Sequence, residues 1–71
     1  MSNTEAAIHN LHSSLINTIG FDPVSNIQIE REYGADVLAD MNRAVALGIA
    51  KSRVVSTNSY GLLIIQYRLM F

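Results

Sequence analysis

The stretch Leu62 to Phe71 restricts the fold of this chain more than any other. It reads Leu-Leu-Ile-Ile-Gln-Tyr-Arg-Leu-Met-Phe. Odd positions hold Leu63, Ile65, Tyr67, Leu69 and Phe71, all apolar or aromatic, and the polar residues Gln66 and Arg68 fall on even ones. A period of two is the spacing of a strand, here with one apolar face and one mixed face. Helical spacing fits worse, because it sets Gln66 or Arg68 beside most of the large side chains. A strand this apolar needs partners, and the other residues have to supply them.

With 71 residues there is room for one small domain, residues 1–71. A chain of that size buries only roughly 60% of the surface that its unfolded form exposes. Disulfides, a metal or a partner chain commonly make up the difference. There is no cysteine, so disulfides and thiolate metal sites are excluded, leaving tight packing or association with another chain. The lack of cysteine is also compatible with a reducing compartment. Charged residues make up 15% of the chain and apolar residues 49%. A typical domain has about 25% charged residues, so some apolar surface is expected outside the core of a single copy. The net charge of −1 gives no general attraction to nucleic acid or anionic membranes. The first residues show no basic region followed by an apolar run, so no signal peptide is read there. Apolar runs fall far short of the ~20 residues that span a bilayer. The expectation is a soluble cytoplasmic protein without membrane association.

Asn3 or Thr4 can cap a first helix, and Glu5 suits the positive end of its dipole. Ile8, Leu11, Leu15 and Ile19 recur at three or four, with Ile16 widening the stripe, and Gly20 and Pro23 follow as stop signals. The spacing predicts a helix over Thr4–Ile19. Phe21-Asp22-Pro23 reads as a turn. From Asn26 to Tyr33, Ile27, Ile29 and Tyr33 alternate with Gln28, Glu30 and Glu32, which predicts a half-exposed strand. The rival reading is one long helix from Pro23 to Lys51, which Gly34 opposes. Leu38, Met41, Val45 and Ile49 predict a second helix from Ala35 to about Ser52, broadened by Val37, Ala44 and Gly48. Ala44 and Gly48 lie four apart, where small residues let another element come close. In this reading Asp36 and Asp40 complement one end of that helix, and Lys51 and Arg53 the other. The β-branched run Val54–Thr57, the turn composition of Asn58-Ser59-Tyr60-Gly61 and the terminal stretch predict a hairpin. The order is helix, strand, helix, strand, strand.

Chemistry-bearing constellations are sparse. His9 and His12 lie three apart and can meet on a helix, but a metal site needs three or four ligands. Asp36 and Asp40 lie one turn apart, at the end of a helix where ionised, solvated carboxylates are favoured rather than an acid–base pair. Glu30, Arg31, Glu32 and Tyr33 form the densest charged run, suited to a basic partner surface or to the wet face of an edge strand. Arg43, Lys51, Arg53 and Arg68 are scattered in sequence, short of a basic nucleic-acid patch. No glycine-rich phosphate loop, nucleophilic triad or metal motif is present, which predicts no enzyme activity and no cofactor.

These observations predict an α+β fold, two helices packed on a small antiparallel sheet, with Leu62–Phe71 as a central or dimer-forming strand. The alternative is an all-α assembly. The order helix, strand, helix and terminal hairpin resembles that of winged-helix proteins, although this reading finds no separate third helix to enter a major groove. The functional expectation is a small regulator or inhibitor that binds a larger protein, of the type that phages and plasmids encode, as a homodimer or higher oligomer. Its interface is expected at Tyr60, Leu63, Ile65, Tyr67, Leu69, Met70 and Phe71. The alternative is a small dimeric DNA-binding regulator, which requires Lys51, Arg53 and Arg68 to gather on one face.

Overall fold

Three helices and three strands account for most of the chain, in a computed structural model that describes residues 3–70. Helix α1 spans Asn3–Thr18, strand β1 Val24–Ser25, helix α2 Asn26–Tyr33, helix α3 Ala35–Ala46, strand β2 Ala50–Thr57 and strand β3 Leu63–Leu69. The strands form one antiparallel sheet in the order β1-β3-β2, so the fold is α+β and β3 is its central strand.

Helix α1 follows the predicted stripe. Leu15 is buried, and Leu11, Ile16 and Ile19 pack against the core. The helix closes with Ile19 N–H on the Leu15 carbonyl and Gly20 N–H on that of Ile16.

The strand predicted at Asn26–Tyr33 is instead helix α2. Its start is fixed by Ser25, whose hydroxyl accepts a hydrogen bond from Gln28 N–H at 3.1 Å, an N-cap that satisfies one of the open donors of the first turn. Alternation in the sequence misleads here because α2 buries just one of its apolar residues, Ile29, and leaves Ile27 and Tyr33 exposed. The strand that does form is the two-residue β1 just before, with Val24 paired to Tyr67 and Ser25 to Gln66.

Gly34 separates α2 from α3. It sits at φ 99°, ψ 167°, a region that is essentially restricted to glycine. Its N–H bonds the carbonyls of Ile29 and Glu30, and its own carbonyl accepts from Leu38 N–H. The rival of one unbroken helix therefore fails at this residue, and the chain gains a third helix.

Helix α3 stops at Ala46, six residues before the predicted end, and here too a glycine decides. Gly48 takes φ 80°; its N–H bonds the Val45 carbonyl, and Ile49 N–H bonds that of Ala44. That pair of bonds is the Schellman closure, so Gly48 is a stop and not a close-packing position inside the helix. Lys51 and Arg53 consequently lie on β2 rather than at a helix end.

The core lies between the helices and one face of the sheet. Leu15, Val24, Ile29, Met41, Ala44, Ala50, Tyr67 and Leu69 are buried, with Ile29 and Met41 the largest fully enclosed side chains. Tyr67 keeps its hydroxyl satisfied by donating to Asn42 Oδ1 at 2.5 Å. Burial pushes the Tyr67 phenol above its usual range. Among the described residues, no helix is long and apolar enough to cross a membrane.

Candidate interaction surfaces

Three features of the sheet decide what the chain offers to a partner. The first is the covering of β3. On one side it pairs with β2 from Leu63 to Leu69. On the other side β1 covers only Gln66 and Tyr67, and the Asn26 side chain continues the ladder. Asn26 Nδ2 donates to the Leu63 carbonyl at 3.1 Å, and Ile65 N–H donates to Asn26 Oδ1 at 3.0 Å. From Leu63 to Tyr67 both sides of β3 are therefore occupied, which leaves no row of free groups there with which to pair a second chain. The open edge is β2, which carries Lys51 and Arg53 and an irregularity between Val54 and Ser56. Charged residues and a bulge are the devices by which edge strands resist pairing.

The second feature is the outer part of the β2–β3 hairpin. The helices cover its base, where Ala50, Tyr67 and Leu69 are buried. They do not reach its tip. Val54 is 58% exposed, Val55 46%, Tyr60 87%, Leu62 63% and Leu63 52%. The tip is nonetheless a built structure. Asn58 Oδ1 accepts from the N–H groups of Tyr60 and Leu62 at 2.9 and 3.0 Å, and Asn58 N–H donates to the Leu62 carbonyl at 2.9 Å. An exposed apolar tip is what the sequence's low charge foreshadows. The described residues measure 47 × 20 × 18 Å.

The third feature is the sheet face turned away from the core. Lys51 stands opposite Arg68, and Arg53 opposite Gln66. Residues directly opposite in an antiparallel pair, and residues two apart on a strand, share a face. The three cations therefore gather on one side, which is the condition attached above to the DNA-binding alternative. Arg53 Nε also donates to Gln66 Oε1 at 3.3 Å.

The predicted interface residues divide. Tyr60 and Leu63 are exposed at the hairpin tip. Tyr67 and Leu69 are part of the chain's own core, so they are corrected from interface to core, and Ile65 packs half-buried against them. Met70 is half-buried; its N–H bonds the Ile49 carbonyl, and its own carbonyl accepts from His12 Nε2. Phe71 lies outside the described residues. Val54, Val55 and Leu62 belong with the exposed set; the turn signal at residues 58–61 marks where they lie, but no local signal says where the helical cover ends.

Glu30, Arg31, Glu32 and Tyr33 are exposed on α2 rather than on an edge strand. Gln28 donates to Glu32 at 3.4 Å. On α3, Asp40 forms an ion pair with Arg43 at 2.7 Å. His9 is exposed, whereas His12 also packs its ring against Phe21 at 6.4 Å. Among the described residues no three His, Asp or Glu side chains come together as a metal site would require.

The elements run in the order α1-β1-α2-α3-β2-β3. α3 is the separate third helix, and the hairpin follows it. The solvent-facing residues of α3 are Ala35, Asp36, Ala39, Asn42, Arg43 and Ala46, spaced as a helical stripe. Comparison with protein-family models, with curated proteins and with solved structures finds no match to this chain.

Proposed function

We propose that the chain is a small non-enzymatic interaction module that docks its hairpin tip into an apolar groove of a larger protein and thereby regulates it. One observation carries this reading: the side chains of Tyr60, Leu62, Leu63, Val54 and Val55 are exposed on the outer part of the β2–β3 hairpin. Exposed apolar patches on small domains mark interaction sites more often than scattered single residues do. Aromatic residues are enriched at the centre of interfaces, and Tyr60 is the most exposed large hydrophobic residue of the described chain. Burying Tyr60 and Leu62 would contribute up to about 1.5–3 kcal/mol each. In this reading self-association, too, runs through the exposed tip, because β3 is paired with β2 along its length and covered by β1 and Asn26 on its other side.

The test compares wild type with Tyr60→Ser and Leu62→Ser. Affinity capture of the tagged chain, followed by mass spectrometry, should return a stoichiometric protein with wild type and lose it with either variant, at unchanged melting temperature. Capture that is indifferent to both substitutions refutes the role of the tip. Light scattering shows in parallel whether a mass above the 7.8 kDa of one chain depends on the same residues.

A second reading, a dimeric DNA-binding regulator that inserts α3 in a major groove, is favoured by the third helix and the hairpin after it. The charge on α3 weighs against it. Arg43 is neutralised by Asp40, which leaves Asp36 as the uncompensated charge on the exposed stripe, the wrong sign for approaching phosphates. Fluorescence anisotropy with duplex DNA, comparing wild type with Arg43→Ala, tests that mode directly.

A further inference from the structure

We infer that the outer face of the sheet is a second binding site, which holds the phosphate backbone of nucleic acid through Lys51, Arg53 and Arg68 without reading its sequence. The chain has five Lys and Arg residues, and three of them share this face. They line an open concavity of about 610 Å³ together with Gln66 and Pro23. Lys51 and Arg68 also border an adjoining one of about 450 Å³. No strand carries an acidic residue. Glu30, Glu32, Asp36 and Asp40 lie on α2 and α3, and Glu5 on α1. Asp22, next to Pro23 in the chain, makes no ion pair with any of the three cations.

Placing Lys51 directly opposite Arg68 is unfavourable, since like charges across a strand pair repel. Among the described residues no carboxylate forms an ion pair with either cation. A polyanion would relieve the repulsion, and an extended one fits best. Residues two apart on a strand lie roughly 6.7 Å from each other, so Lys51 and Arg53 make a row, with Arg68 beside it. A row of cations in a shallow concavity tracks a charged backbone. Contacts of Lys and Arg to phosphate carry affinity and register but no sequence information.

This site does not depend on the hairpin proposal, and it gives nucleic acid a docking face other than α3. The measurement is the salt dependence of binding to a labelled duplex and to a labelled single strand of mixed sequence, at 50–200 mM salt. Three neutralised phosphates predict a slope of log Kobs against log salt of about −2.7 for duplex and about −2.1 for single strand. For duplex that is a loss of about 40-fold across the range. Each of Lys51→Ala, Arg53→Ala and Arg68→Ala should flatten the duplex slope by about 0.9, while Arg43→Ala on α3 leaves it unchanged. All four side chains are exposed, so melting temperatures should stay within experimental scatter. Absence of binding at 50 mM salt overturns the inference. So do slopes that the three sheet variants leave untouched, or a slope that Arg43→Ala flattens instead, which would return the contact to α3.

Discussion

Replacing Asn26 by alanine removes the side chain that stands in for a missing length of strand beside β3. Two hydrogen bonds disappear, to the Leu63 carbonyl and from the Ile65 N–H. They are not equivalent. The Leu63 carbonyl is exposed and water takes over, so its loss costs about 0.5 kcal/mol. The Ile65 N–H is partly buried, and leaving it without an acceptor costs about 1–2 kcal/mol. Against this, alanine at the first position of α2 gains up to about 0.5 kcal/mol of helix propensity. The net loss is about 1–2 kcal/mol, which for a domain of this size lowers the melting temperature by about 5–15 °C. Asn26→Asp discriminates further. It keeps an acceptor for Ile65 N–H and places a carboxylate at the N-terminus of α2, where the dipole favours it, but it cannot donate to Leu63. It should therefore melt between wild type and Asn26→Ala. Thermal unfolding by circular dichroism gives the stabilities, and amide exchange at Ile65 reports the bond itself. An Asn26→Ala chain that melts within about 2 °C of wild type and protects Ile65 equally well would refute the assignment.

Three further outcomes follow from single groups. Ser25→Ala should cost about 1 kcal/mol by removing the cap of α2, and Ser25→Asp should restore most of it, as measured by urea unfolding. Gly48→Ala should cost about 1–2 kcal/mol in the same assay for holding an L-residue at positive φ, since a Cβ there meets no atom within 4 Å and the cost is conformational alone. Tyr67→Phe should cost about 0.5–1.5 kcal/mol at neutral pH. Because burial raises the Tyr67 phenol, the protonated form favours the folded state. That contribution is complete below the ordinary tyrosine value of about 10 and is lost as pH rises through the higher folded value. Wild type should thus lose melting temperature above pH ~10 more steeply than Tyr67→Phe, and parallel alkaline limbs would disprove the linkage.

The parts of the fold that sequence reveals are those where local and distant preferences agree. Helix α1 has a stripe, a stop and a packing face that all coincide, and β3 has an alternation that burial of Tyr67 and Leu69 honours. At Asn26–Tyr33 they disagree. Ile27, Ile29 and the polar residues between them alternate like a strand, while Ser25 and Gly34 bracket a helix, and the brackets prevail because only Ile29 reaches the core. At Gly48 the sequence signal was present but ambiguous, since a small residue four after Ala44 fits a packing contact as well as a stop. The cation face depended on that choice: once α3 ends at Ala46, Lys51 and Arg53 pass onto a strand and meet Arg68. Asn26 bridging to β3 leaves no local trace, because its partners lie 37 and 39 residues away.

The central place of β3 also sets a schedule for assembly. β1 and β2 never touch as neighbours; each finds its pairing only in β3, which follows both of them and all three helices in the chain. During synthesis, Val24 and Ser25 wait for Gln66 and Tyr67, some forty residues downstream, before they have any sheet to join. Until then the inward faces of α1, α2 and α3, with Leu15, Ile29 and Met41, have each other but no floor to pack on. In a growing chain the inward helix faces therefore gain their floor only once β3, which pairs between the two strands that precede it, has been made.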